Sequence, residues 1–446
     1  MKHKYLFYLL LLLHFNASLV AQQPRSTVDN IRYVPVYRSK NDSLQIQELW
    51  GKITEASNAR TINQKLLDSL TKTRMALYEA SVLRYKKAYF PSRGYTSLDS
   101  INSNTDKNEI TKISIASKKL HQLPPEVLQC PNLRELELIH TRIRKIQNDI
   151  NKLESLKKIT ILDNRSSRPL KLGKNSHVTH LAIHSDNPKS LPRSYKNFTA
   201  LAKINLSENG LKKFPNSARH NKKLTELDLQ HNEITLKENN IKQHQNLERL
   251  SLQYNKIQVV PASIKNLNTL KKLSLNYNEI TDASPDIGQL QKLEYISFYN
   301  NKLTTVPAGV YNIKSLMYLD LFYNQLTALD ERVTGWPNLQ ILYVSYNQLS
   351  SLPEAIGKID SLKEIHAYNN LLTELPSSIC RIKNLRILRV NVNLLNELPS
   401  CFPALTSLEE LDFSDNDIRY FPAGIINFQN LRILVVSINP WENTDD

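Results

Sequence analysis

Between Ile110 and the C-terminus the chain repeats itself. The pattern L-x-x-L-x-L-x-x-N-x-L starts at Ile110, Leu133, Leu156, Val178, Leu201, Leu224, Leu247, Leu270, Leu293, Leu316, Leu339, Leu362, Leu385, Leu408 and Leu431. Thirteen of the intervals are 23 residues; the one from Leu156 to Val178 is 22. Nothing else in the sequence constrains the fold as strongly. A single unit has too few apolar residues to bury a core alone, so neighbouring units must stack into a solenoid. Position numbers count from the first apolar residue of each unit.

Each unit contains a strand signal. In "LERLSLQYNKI", Leu250 and Leu252 alternate with polar residues, as a half-buried strand requires. Parallel strands stacked about 4.8 Å apart make one continuous core. Each buried Leu or Ile contributes about 1.5–3 kcal/mol, so several per coil offset much of the ordering cost. Position 9 is Asn in twelve units, from Asn164 to Asn439, with Thr141 and Asp186 as substitutes and Lys118 breaking the run. An amide both donates and accepts, so an inward Asn can satisfy backbone groups where the chain leaves the strand and link coil to coil. A Leu-Pro, Phe-Pro or Val-Pro pair follows in nine places, for example Leu352-Pro353. Proline suits a turn or a first helical position, and Ile356 and Ile359 stand three apart, which predicts a short helical or 3-10 turn.

The period, the asparagine and the "LPxxI" segment together resemble the leucine-rich repeat family, in the 23-residue class common in bacterial and Ras-pathway scaffold repeat proteins. The resemblance covers residues 110–446. It implies an α/β solenoid, a horseshoe of about 15 coils with a parallel concave β-sheet and short convex segments.

The remainder of the chain reads differently. Lys2 and Lys4 precede a short apolar run, Tyr5–Leu13, and "NASLVAQQ" follows. That is the composition of a signal peptide, placed at residues 1–22, and it predicts export to the periplasm, cell surface or exterior. The run is too short to span a bilayer, so no transmembrane segment is expected in the mature chain. Residues 23–41 form an N-terminal extension, 42–88 have helical spacing, 89–109 serve as linker and cap, and 110–446 are the repeats. Cys130 falls at an apolar position and is expected in the core; three cysteines make no disulfide framework, and pairing of Cys380 with Cys401 on neighbouring coils stays open. "NRSSRPLKLGKNSHVTHL" accounts for the short interval and reads as a degenerate convex segment, with a protruding recognition loop as the alternative. Trp441 replaces a leucine near the last coil and is placed to shield its open end.

The charges and motifs narrow the function. The formal net charge is +16, spread thinly. A basic patch for nucleic acid conflicts with export, so no nucleic-acid partner is expected. There is no G-x-S-x-G, H-E-x-x-H, Walker loop or C-x-x-C pair. His180 and His184 share a strand face about 13 Å apart, too far to share a metal. No enzymatic activity, cofactor or metal is expected. With positions 4 and 6 in the core, positions 3, 5 and 7 face outward. Along the array they place Tyr295, Tyr299, Tyr318, Phe322, Tyr343, His366 and Tyr368 in one region. Rigid exposed aromatics are favoured anchors for proteins, so a protein partner is expected there, with a cell-envelope glycan as the alternative. Phe322 is expected to stand free in the concavity. Tyr254, Tyr277, Tyr323 and Tyr346, at position 8, are expected to form a structural ladder.

Overall fold

The computed structural model describes residues 106–442 except 118, 185–190, 240, 423, 426 and 427. The expected signal peptide, extension and helical segment, and most of the linker and cap, lie outside the described residues. All described residues fall in the unit Gly94–Asp446.

The repeat pattern becomes one 15-stranded parallel sheet in strict chain order, from Lys112–Ala116 to Ile433–Val435. Neighbouring strands pair without a shift in register. Leu250 sits against Leu273, Leu273 against Ile296, Ile296 against Leu319 and Leu319 against Leu342. Equivalent side chains therefore stack coil on coil. Positions 1, 4 and 6 are buried along almost the whole array, and the inward leucines and isoleucines merge into a single core. Convex segments close most coils with short 3-10 turns such as Glu354–Lys358 and Ser377–Arg381, entered from Pro353 and Pro376; the coils starting at Leu156 and Leu224 have none among the described residues. Proline's fixed φ suits that entry, and its missing N–H leaves no orphan donor. Adjacent turns pack closely: a Cβ on Gly335 would collide with the carbonyl of Tyr311.

Two local devices turn the chain out of each strand. At position 8 the backbone is left-handed in every described coil from His140 (φ 52°) to Ile438 (φ 60°). Left-handed geometry costs a non-glycine residue about 1–2 kcal/mol. The asparagine at position 9 holds it in place. Asn324 Nδ2 donates to the carbonyls of Phe298 and Leu321 at 3.0 Å each, and its Oδ1 accepts from Leu303 N at 3.0 Å. Phe298 and Leu303 belong to the coil before, so each asparagine reaches back, and Asn347 in turn binds Leu321 and Leu326.

Both cysteine questions are answered by position. Cys130 is buried in the core. Cys380 and Cys401 form a disulfide with Cα atoms 6.0 Å apart, clamping consecutive convex turns. The degenerate segment stays in the solenoid wall: Lys171–Leu172 pairs with Lys145–Ile146. Trp441 reaches the rings of Phe421 and Phe413, yet Ile433, Leu434 and Ile438 remain exposed at that end. No helix of the described residues is long and apolar enough to cross a membrane.

Candidate functional site: an aromatic stretch on the concave sheet

In-register stacking turns each outward position into a row across the sheet, and the rows change character along the array. In the first half, position 3 is mostly charged, with Glu135 and Glu226 set between basic residues. Lys112 lies 3.1 Å from Glu137, Lys158 3.9 Å from Glu135, Lys203 3.3 Å from Glu226 and Arg249 4.0 Å from Glu226. This surface neutralises itself across coils.

From Lys272 onward rings replace charges. Lys272 Nζ sits 4.2 Å from the centroid of Tyr295, and burial together with the nearby Arg249 pulls its pKa down. Tyr295 stacks on Tyr318 at 4.4 Å. The next position 3 is Ile341, and the aromatic track moves to position 5 of that coil: Tyr318 meets Tyr343 at 5.5 Å, and Tyr343 stacks on His366 at 4.3 Å.

A second track runs on the far side of the strands. His231, Tyr254 and Tyr277 stack at 4.2 Å spacing, so the position-8 ladder is present in those coils. Asn300 interrupts it, and Tyr299 from position 7 fills the gap, 5.1 Å from Tyr277. Tyr323 and Tyr346 resume it at 4.3 Å. Phe322 is enclosed by this track, with Tyr299 at 5.3 Å, Tyr346 at 5.0 Å and Tyr368 at 5.7 Å. Only 7% of its surface is exposed, which corrects the expectation that it stands free in the concavity. Tyr368 and His366 are buried too, whereas Tyr295, Tyr299, Tyr318 and Tyr343 are half-buried. All seven residues singled out in the sequence thus come together, but as two packed tracks whose accessible parts belong mainly to four tyrosines.

Between the tracks run four position-5 residues that sequence reasoning did not single out, Ser251, Ser274, Ser297 and Asp320. These short polar groups finish the strand. Ser297 Oγ accepts from Tyr299 N at 3.2 Å and Asp320 Oδ1 from Phe322 N at 3.1 Å; Asn205, Asp228 and Asp412 do the same for their own position 7. A short polar residue at position 5 in every coil from Asn205 to Asp320 was the signal. Asp320 is nevertheless unlike its neighbours. Like Ser274 and Ser297 it is buried, but it is a carboxylate; it accepts a second bond from Ser297 Oγ at 2.7 Å, and among the described residues no cation lies within ion-pair distance. Burial raises its pKa to about 6, against the lowering effect of those two bonds. Burial first, and the Asp320 charge after it, push the hydroxyls of Tyr295 and Tyr318 upward; Tyr343 rises to about 12 through burial, then Glu364 and Asp320. Past the aromatics the sheet returns to ion pairs, Arg389–Glu410 at 2.5 Å and Arg386–Glu409 at 2.6 Å.

Among the described residues no three His, Cys, Asp or Glu side chains are grouped to hold a metal ion. The arrangement offers rigid rings on a sheet.

Family models for leucine-rich repeats match at residues 220–237, 246–267, 268–326 and 331–446, the last as a leucine-rich repeat region. Together with the sheet, these matches decide the family. The chain belongs to the leucine-rich repeat proteins. A solved leucine-rich repeat protein of Leptospira interrogans is similar over 80% of this chain and 96% of its own, with 24% identity and a TM-score of 0.59. Toll in the Drosophila Toll–Spatzle complex gives 21% identity and a TM-score of 0.63, over 78% of this chain and 53% of its own. The plant peptide hormone receptor RGFR1 in complex with RGF2 gives 24% and 0.52, over 75% and 56%. This chain therefore spans about half the length of those receptors, and at such identities the likeness is one of fold. No curated protein sequence matches the chain. A leucine-rich repeat solenoid is characteristic of protein–protein interaction modules, and the family is generally a non-enzymatic binding scaffold.

Proposed function

We propose that this chain is an exported, non-enzymatic binding protein that recognises a protein partner through the concave sheet, centred on the strands from Tyr295 to Tyr368. The observation that carries the reading is the contrast within one surface. Half of it compensates its own charges, while the other half gathers half-buried tyrosines on a rigid backbone, where little conformational entropy remains to be lost on binding. Several solved neighbours are receptors captured with protein or peptide ligands, such as Toll with Spatzle, which agrees with this use of the fold. The stacking spacings favour a protein over a glycan. Rings 4.2–4.4 Å apart cover one another's faces, and a sugar ring needs an open face. Export rests on the basic start and apolar run of residues 1–22.

The test is cross-linking in the native organism, followed by binding measurements with the purified captured protein. Tyr318→Ala and Tyr343→Ala are expected to weaken capture by about tenfold or more, on the order of a hot-spot tyrosine. Lys213→Ala and Lys383→Ala, exposed outside the concave strands, should leave it unchanged. Equal loss in both sets, or in neither, would remove the concave site.

A further inference from the structure

Resting on that reading, we infer that Asp320 is the anchor for a lysine or arginine side chain of an extended partner segment lying between the two aromatic tracks.

Position 5 needs only a short acceptor to cap position 7, and a serine supplies one in the coil before: Ser297 Oγ bonds Tyr299 N. Capping therefore explains a polar group at Asp320 but not a carboxylate. A buried carboxylate without a cation is expensive to keep. The sheet contains its own control. Asp228 occupies the same register in the self-compensated half, where Asn205 Nδ2 and Gln230 Nε2 each donate to its Oδ2 at 3.2 Å and Gln230 N donates to Oδ1 at 3.1 Å. Asp320 has one amide and one hydroxyl in place of that polar shell: Ser297 stands in the register of Asn205, and the ring of Phe322 in that of Gln230. Asp412 differs in the other direction. Burial acts on it too, but Ser414 Oγ donates to it at 2.7 Å and the charge of Arg389 opposes the burial.

The surroundings match a cation in shape and in charge. Tyr295 and Tyr318 line one side, Tyr299 and Phe322 the other, and Tyr343 at the same register in the next coil closes the end. Ser297 is fully covered, while Asp320 in the next coil keeps 7% of its surface open. A lysine or arginine stem is thin and apolar and can lie along ring edges while its head meets the carboxylate. Tyrosine rings add cation–π attraction, and the head would make a charge-assisted hydrogen bond in a partly desolvated site. Stability is thus sacrificed at Asp320 for recognition.

The experiment uses the full chain and a phage-displayed random dodecapeptide library. Wild-type protein is expected to enrich peptides sharing one Lys or Arg at a fixed place. Replacing that residue in a synthetic peptide by citrulline or acetyl-lysine should weaken binding to wild type about thirtyfold, the fold-change for losing one partner of a buried charged pair. The same replacement should cost little against Asp320→Asn, and Asp228→Asn should behave as wild type. Thermal melts of both variants confirm folding, and the modified peptides test the point without altering the protein. Selected peptides with no shared basic residue, or a citrulline penalty that persists in Asp320→Asn, overturn the cation anchor while leaving the concave site standing. Peptides whose binding survives Tyr318→Ala and Tyr343→Ala, or no enrichment at all, overturn the concave site and the anchor together.

Discussion

The charged half of the concave sheet and the stretch from Tyr295 to Tyr368 have one backbone and two surfaces. Both present positions 3, 5 and 7 on parallel strands in unbroken register, both turn out of the strand through a left-handed position 8, and both are tied by the same asparagines. In the first half, Lys203, Glu226 and Arg249 satisfy one another across coils and stay partly in water. In the second, side chains pack sideways on one another and take partners up to two coils away, as Phe322 does with Tyr368. An outward position on a repeat sheet is therefore not automatically a surface position. Whether it becomes one depends on the side chains in the neighbouring coils.

Substitution at position 7 gives the largest contrast between the two. Phe322→Ala is expected to destabilise the central coils by about 3 kcal/mol, near the range for a buried aromatic. Gln253→Ala, at the same position in the polar half, should stay within about 0.5 kcal/mol. Urea unfolding followed by hydrogen exchange of the 316–346 backbone would show it, since long arrays do not always unfold as one unit. Equal effects at the two sites would mean that Phe322 is a surface residue after all.

Acid divides the halves with opposite signs. His244 belongs to a coil of the polar half, at a convex position that is apolar in most other coils. It is buried beside Phe214, and burial, then Arg219 and His220, depress its pKa to about 4. Between about 6.5 and 4 the unfolded chain binds the proton and the folded one does not, so this group costs stability as pH falls through that window, by about 3 kcal/mol in full. Asp320 runs the other way. Its folded pKa of about 6 lies above the ordinary 3.8, so the folded state holds the proton longer and stability is lost as pH rises from about 4 to 6. Asp320→Asn should therefore raise the melting temperature at pH 7 and flatten that decline, while His244→Leu should remove the acid loss. Melting profiles from pH 4 to 7 with local exchange in each half would test both. An unchanged profile in Asp320→Asn would mean the carboxylate is solvated.

Much of this was legible in the sequence. The recurrence located fifteen strands, position 9 identified the inter-coil asparagines, and Leu-Pro pairs predicted the 3-10 turns, because each depends on residues within one unit. What was missed or left open depends on residues in different units. The enclosure of Phe322 needs Tyr299, Tyr346 and Tyr368 from three other coils. The Cys380–Cys401 bridge needs the distance between consecutive convex turns. Left-handed backbone at Tyr254 or Tyr323 runs against the usual choice of Gly or Asn there. Asp163, Asn300, Asn369 and Asp415 in the same column hinted at it.

The smallest expected effect tests whether the polar half is truly self-compensated. Glu226 has two cations within reach, Lys203 at 3.3 Å and Arg249 at 4.0 Å, and all three side chains are partly exposed. Exposed pairs of this kind are worth about 0–1 kcal/mol, and salt screens them. Lys203→Ala should then cost less than about 0.5 kcal/mol, because Arg249 remains, and the difference should vanish at high salt. Denaturant unfolding of wild type and variant at low and high salt measures it. A cost above about 1 kcal/mol that persists at high salt would show that Glu226 behaves as a desolvated charge, like Asp320, and the division of the sheet into a neutralised half and a binding half would fail at that coil.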